Sequence, residues 1–180
     1  MKLRGFAARR ARSFRRSESV IVFTVGGTTF AIAAAAVEEI RGPQGLRPLT
    51  CEAAHSSLAK VRHTLQRAHK TFLVVDAALH FQTPRIQPTR VLILRNSTVA
   101  VAVDGIDRMA EIHALYPLPA AFRGDERRWY RGLALIGEAV VPVVQPDMFL
   151  TRAEQMVVVA AAAAAQTKTQ TQTQPESVYA

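Results

Sequence analysis

A single cysteine, Cys51, stands in 180 residues. It excludes an intramolecular disulfide, a CxxC redox pair and a four-thiolate zinc site, and it fits a reducing compartment. No apolar run reaches the about 20 residues that a membrane-spanning helix needs, and the start of the chain has no uncharged hydrophobic segment of the signal-peptide kind. The expectation is a soluble, unexported protein. Catalytic signatures are equally scarce. GxSxG, GxxxxGK[ST] and a strand-borne GxGxxG are all missing, and His55, His63, His69, His80 and His113 show neither HxxxH nor HExxH spacing. No acidic pair sits in a context suited to general acid and base work. The expectation is therefore no enzyme, no metal and no cofactor.

Charge is present but unevenly placed. The net +9 would suggest a polyanion binder, yet seven basic residues (Lys2, Arg4, Arg9, Arg10, Arg12, Arg15 and Arg16) precede the first acid, Glu18. The remainder carries 16 basic and 14 acidic residues, close to neutral. Residues 1–18 read as a basic flexible arm, with Leu3, Phe6, Ala7, Ala11 and Phe14 able to line one helical face. Such an arm suits contact with anionic lipid or nucleic acid, a transit peptide, or simple solubility. Residues 153–180 read as an alanine-rich helix extension followed by a low-complexity polar tail.

Between the two ends the pattern is one of strands. VIVFTV (20–25), the Gly26-Gly27 pair and TTFAI make a hairpin signal. Further runs lie at 71–79, 90–105 and 139–150, bounded by Pro, Gly, Asn and Asp. Helical pattern is weak except around 51–60 and 107–112. The runs recur: Val20 corresponds to Val91 and Val74 to Val143, at offsets of 71 and 69 residues. One unit used twice predicts two packed β-subdomains, each a small, strongly curved barrel. In ERRWYRG, Trp129 and Tyr130 sit among arginines, a composition suited to base stacking, to an interface or to packing within the fold.

The order of these pieces resembles the CheW-like domain. VIVFTVGGTTFAI with VEEI looks like that family's opening hairpin and third strand, and LVVDAALHF like its VVD strand. RVLIL…VAVAVDGIDRMAEI looks like its central hairpin with the VDG turn, and the stretch from LYPLP to PDMFL like its closing segment. The resemblance covers about 19–152 and implies a mainly β fold of two five-stranded barrel subdomains with a few short helices. It further implies a non-catalytic, cytoplasmic adaptor at membrane-bound receptor arrays. The partners would be a histidine kinase regulatory domain, a chemoreceptor cytoplasmic tip and like domains in rings or arrays, with no specific nucleic acid and membrane only through receptors.

By position in the motifs, the resemblance makes Val37, Glu39, Asp76, Asp104 and Gly105 candidates for partner binding, and Arg67, one residue from a motif position, is a further candidate. For each a purely structural role stands beside the functional one: core packing for Val37, backbone hydrogen bonds at turns for Asp76 and Asp104. One departure concerns the family's NLRG. Counting back from Asp76, Ala68 falls at the arginine position, and Arg67 could substitute only if a bulge turned it to the same face.

Overall fold

The structure is a computed structural model and describes residues 12–49 and 58–171. The chain folds into two antiparallel-rich sheets. The first has the order β10-β11-β2-β1-β9 and the second β3-β7-β8-β6-β5-β4. Their strands are β1 (Arg12–Val25), β2 (Thr28–Ala33), β3 (Val37–Arg41), β4 (Leu46–Pro48), β5 (Val61–Arg67), β6 (Lys70–Asp76), β7 (Arg90–Leu94), β8 (Val99–Val103), β9 (Gly105–Leu115), β10 (Tyr130–Ile136) and β11 (Ala139–Val144). The mainly β, two-sheet architecture expected from the sequence is present. The second sheet has six strands rather than five, the short β4 being added at its edge.

Sequence repetition becomes structural repetition in an interleaved form. Leaving β4 aside, the two sheets have the same order, with β10, β11, β2, β1 and β9 matching β5, β6, β8, β7 and β3. The equivalence of Val74 and Val143 is met closely. Val74 pairs in parallel with Ala100 of β8, and Val143 in parallel with Ala31 of β2. Neither sheet is built from one half of the chain, however. Each takes its central hairpin from one half and its remaining strands from the other.

The central strands are apolar on both faces because both faces are buried. Along β1, Val20 and Val22 point into the interior of the first sheet with Ile112, Ile136 and Val143. Ile21, Phe23 and Val25 point the other way, into a core that joins the two sheets and includes Leu92, Val101 and Phe149. On β8, Ala100 and Ala102 fill the narrow interior of the second sheet, where Phe72 and Ile93 take the volume. The first sheet closes on itself where Tyr116 and Leu133 exchange two backbone hydrogen bonds of 2.8 Å. Gly132 makes that closure possible, since a Cβ there would lie 2.6 Å from the Tyr116 carbonyl oxygen.

Several local expectations change. β1 begins at Arg12, inside the span read as a flexible arm, and Arg12 pairs with Leu115. Residues 1–11 lie outside the described residues, as does Cys51. The helical pattern read at 107–112 is strand, part of β9, because this stretch pairs antiparallel with β1, Arg108 to Ile112 lying opposite Val22 to Glu18. The other helical suggestion, 51–60, falls mostly outside the described residues. The run at 71–79 is strand only as far as Asp76, and helix α1 (Ala77–Phe81) follows.

Helix α2 (Arg152–Thr171) runs past the alanines into the polar tail. It starts in a capping box in which the Thr151 N–H donates to the Glu154 carboxylate (2.7 Å) and the Glu154 N–H donates to the Thr151 hydroxyl (3.3 Å). A Lys60–Glu154 ion pair of 2.8 Å and the buried Val158 fix the helix to the body. Burial works to raise the Glu154 carboxyl, but its bonds to Lys60 and Thr151 outweigh that and hold it below the usual carboxylate range. Among the described residues no helix is long and apolar enough to cross a membrane.

Candidate functional site

The candidate residues divide into one exposed group and several that hold the fold together. The exposed group forms where β3 and β5 face each other across the curled second sheet. Between Val37 and Glu39 the pairing of β3 with β7 slips by one residue, leaving Glu38 as a bulge. A bulge aims successive side chains to one side, and both Glu38 and Glu39 reach Arg67. The Arg67 Nη1 lies 2.7 Å from Glu38 Oε1 and its Nη2 3.1 Å from Glu39 Oε2. The Arg67 hydrogen bond keeps the Glu38 carboxyl below the usual carboxylate range, and the same pairing raises the Arg67 guanidinium. All three side chains remain about a third or more exposed, at 42%, 36% and 35%, so the cluster is presented to solvent. Ile40, the next residue of β3, is 39% exposed.

Arg67 owes its position to the tight turn between β5 and β6. It pairs with Lys70, leaving Ala68 and His69 as the turn, and Ala68 takes φ of 49°. Positive φ is the conformation that glycine adopts at least cost. The bulge that would have had to reconcile Arg67 with the motif is not at this end of the pairing, whose only register shift lies between Val61 and His63. Arg67 and Asp76 sit on different strands, so counting residues back along one strand does not relate their faces.

The other candidates lie apart from this cluster. Val37 is buried in the core joining the two sheets. Asp76, almost fully buried, caps α1: its Oδ1 accepts from the Ala78 N–H (3.0 Å) and the Leu79 N–H (3.3 Å), while Oδ2 lies 3.2 Å from Arg85. Asp104 ties the first hairpin to the second. Its Oδ2 accepts from the Gly26 N–H (2.5 Å), its own N–H donates to the Thr24 carbonyl (3.0 Å), and its carbonyl accepts from the Thr89 N–H (3.2 Å). Gly26 has φ of 58° and no room for a Cβ, which would meet the Pro84 carbonyl oxygen at 2.6 Å. Gly105 opens β9 opposite Thr24.

The sequence reading missed Glu38, whose part depends on a bulge that no local pattern announces. Trp129 and Tyr130 turn inward: Tyr130 stacks with Phe81 at 6.0 Å and Trp129 lies 4.6 Å from the ring of His80. Of the three uses their composition suited, packing within the fold is what the structure contains. His80 is buried among Phe81, Trp129 and Phe149. That burial, helped by nearby Lys60 and opposed by Glu154, lowers its pKa to about 3. Among the described residues no three His, Cys, Asp or Glu side chains converge as metal ligands would.

No curated protein matches the chain in sequence. Among solved structures, the scaffolding protein TtCheW from Thermoanaerobacter tengcongensis superposes with a TM-score of 0.66, over 81% of this chain and 95% of that one. The two share 12% identity, so the likeness speaks to the fold. The family model described as the CheW-like domain matches residues 19–154. That span takes in both sheets and the exposed Arg67 cluster, and by it the chain belongs to the CheW-like domain family.

Proposed function

We propose that this chain is a non-catalytic adaptor of a chemosensory system, which couples a CheA-type sensor histidine kinase to the cytoplasmic tips of chemoreceptors. The observation that carries the reading is the exposed ion-pair cluster of Arg67 with Glu38 and Glu39 on rigid strands of a CheW-like fold. Arg67 lies one residue before the position of the family motif's arginine, and in this reading its guanidinium does that arginine's work from the end of β5. A surface of this kind needs charged and apolar groups held in fixed positions and no reacting group. In this reading the protein works in the cytoplasm, beside membrane-bound receptor arrays, and binds like domains barrel against barrel.

Titration of the full chain with a purified kinase regulatory domain and with a receptor tip fragment tests the reading. Saturable binding to both is expected. Glu39→Arg should weaken receptor binding by about tenfold or more, as expected for a charge opposed at an interface, with an unchanged melting curve. No saturable binding to either partner would remove the proposal, and loss of folding in Glu39→Arg would make that residue structural.

A further inference from the structure

A second feature lies where the two sheets meet, beside the β7–β8 turn and the start of α2. Here an open cleft of about 450 Å³ is lined by Arg95, Ser97, Arg131, Gln145, Asp147 and Arg152, among others. This is within the size range of small-ligand sites. Its three guanidiniums face one carboxylate, so the lining carries an excess of positive charge.

The three arginines are not equivalent. Arg131 is satisfied by Glu18, with Nη1 and Nη2 donating to the two carboxylate oxygens at 2.6 and 3.0 Å. Arg95 is held by main chain only: its Nε donates to the Ala35 carbonyl (3.0 Å) and its Nη2 to the Val37 carbonyl (3.3 Å). That fixes the guanidinium in place while leaving its charge without a carboxylate within 4.0 Å among the described residues. Arg152, exposed, likewise has no ion pair among them, and Asp147 forms none with either. Ser97 Oγ accepts from the Val99 N–H (3.0 Å), so its proton is available to a ligand. A guanidinium held by main chain, a second without an ion pair among the described residues, and a hydroxyl donor, all lining one cleft, make a receptor for oxygen anions, since charge-assisted bonds to such groups are among the strongest a protein forms.

We infer that this cleft binds a small oxyanion, a phosphate or carboxylate carried by a free ligand, between Arg95 and Arg152. The inference is independent of the adaptor reading, because it concerns a ligand rather than a protein partner. Bound there, the anion would clamp the β7–β8 turn to the start of α2.

An amide NMR titration of the full chain at low salt, with inorganic phosphate in one arm and citrate in the other, tests it. Saturable shifts centred on residues 95–97, 145–147 and 152 are expected with at least one probe, and the tighter arm identifies the class. Arg152→Gln should weaken that binding by about tenfold, the loss of one charge-assisted contact. Arg128→Gln, at an exposed arginine outside the cleft, should leave it unchanged. Shifts that never saturate, shifts spread equally over all arginines, or full affinity in Arg152→Gln would overturn the inference. So would binding of a glutamate-rich peptide at the cleft with no response to either small anion. Amide shifts of Arg152→Gln that match wild type elsewhere establish that the variant is folded.

Discussion

Arg67, the last residue of β5, reaches Glu39 of β3 at 3.1 Å although those strands are not neighbours in the sheet. Four other strand interfaces separate them in hydrogen-bonding order, through β6, β8 and β7. The contact exists because the sheet curls until its ends approach, and because the bulge at Glu38 turns two consecutive carboxylates toward one guanidinium. Backbone curvature, a local irregularity and a tight turn thus combine to place three charges on one exposed spot.

The state of Glu38 reports on that spot. Its carboxyl is held low first by the Arg67 hydrogen bond, with further help from the charges of Arg67, Lys70 and Arg95. In Arg67→Ala the Glu38 carboxyl should titrate at higher pH than in wild type, followed by carbon NMR of the side chain. The melting temperature should scarcely move, since exposed ion pairs add little stability. An unchanged Glu38 titration would mean that the pair is not formed in solution.

Closure of the first sheet depends on Gly132. A methyl group there would lie 2.6 Å from the Tyr116 carbonyl oxygen, so the backbone must move or the bridge to Leu133 must break. Gly132→Ala should destabilise the protein by about 2 kcal/mol, in the range of mutations that strain a backbone. Denaturant unfolding measures this. Wild-type stability in the variant would show that the two strands can separate without cost.

Buried His80 makes the protein acid-sensitive. With its pKa lowered to about 3 in the folded state and about 6.5 in the unfolded chain, the unfolded state binds the extra proton between those values. Stability is therefore complete above about pH 6.5 and lost progressively as the pH falls toward 3. Between pH 7 and 5 this one group should cost about 2 kcal/mol. Unfolding free energies of wild type and His80→Phe at both pH values isolate the contribution, because the remaining titrating groups are common to the two. An equal pH dependence in both proteins would show that His80 is protonated or solvated in the folded state.

Much of the fold was legible before the structure. The Gly26-Gly27 turn and the apolar runs of β1, β2, β7 and β8 were readable because turn chemistry and β-branched runs act locally. β5 was not. In VRHTLQR only Val61 and Leu65 are buried, and so sparse a pattern looks polar until its neighbours are known. The helix at 77–81 was hidden because FLVVDAAL is apolar on both sides of Asp76, and only the Asp76 side chain, capping two N–H groups, ends the strand. Of the candidate cluster, Glu39 was named by resemblance to a family motif and Arg67 only as the neighbour of a motif position. Glu38 was not found, since a bulge follows from pairing with another strand.

By itself the sequence determined that there would be two similar β units, because periodicity and turn residues are properties of neighbours along the chain. It also placed Val74 and Val143 as equivalents. Tertiary structure alone decided that the halves interleave, each hairpin of one half completing the sheet of the other, because strand partners are chosen by the burial of both faces across long separations. It alone decided, too, which charged residues meet, since Arg67 and Glu39 are brought together by the curl of a whole sheet.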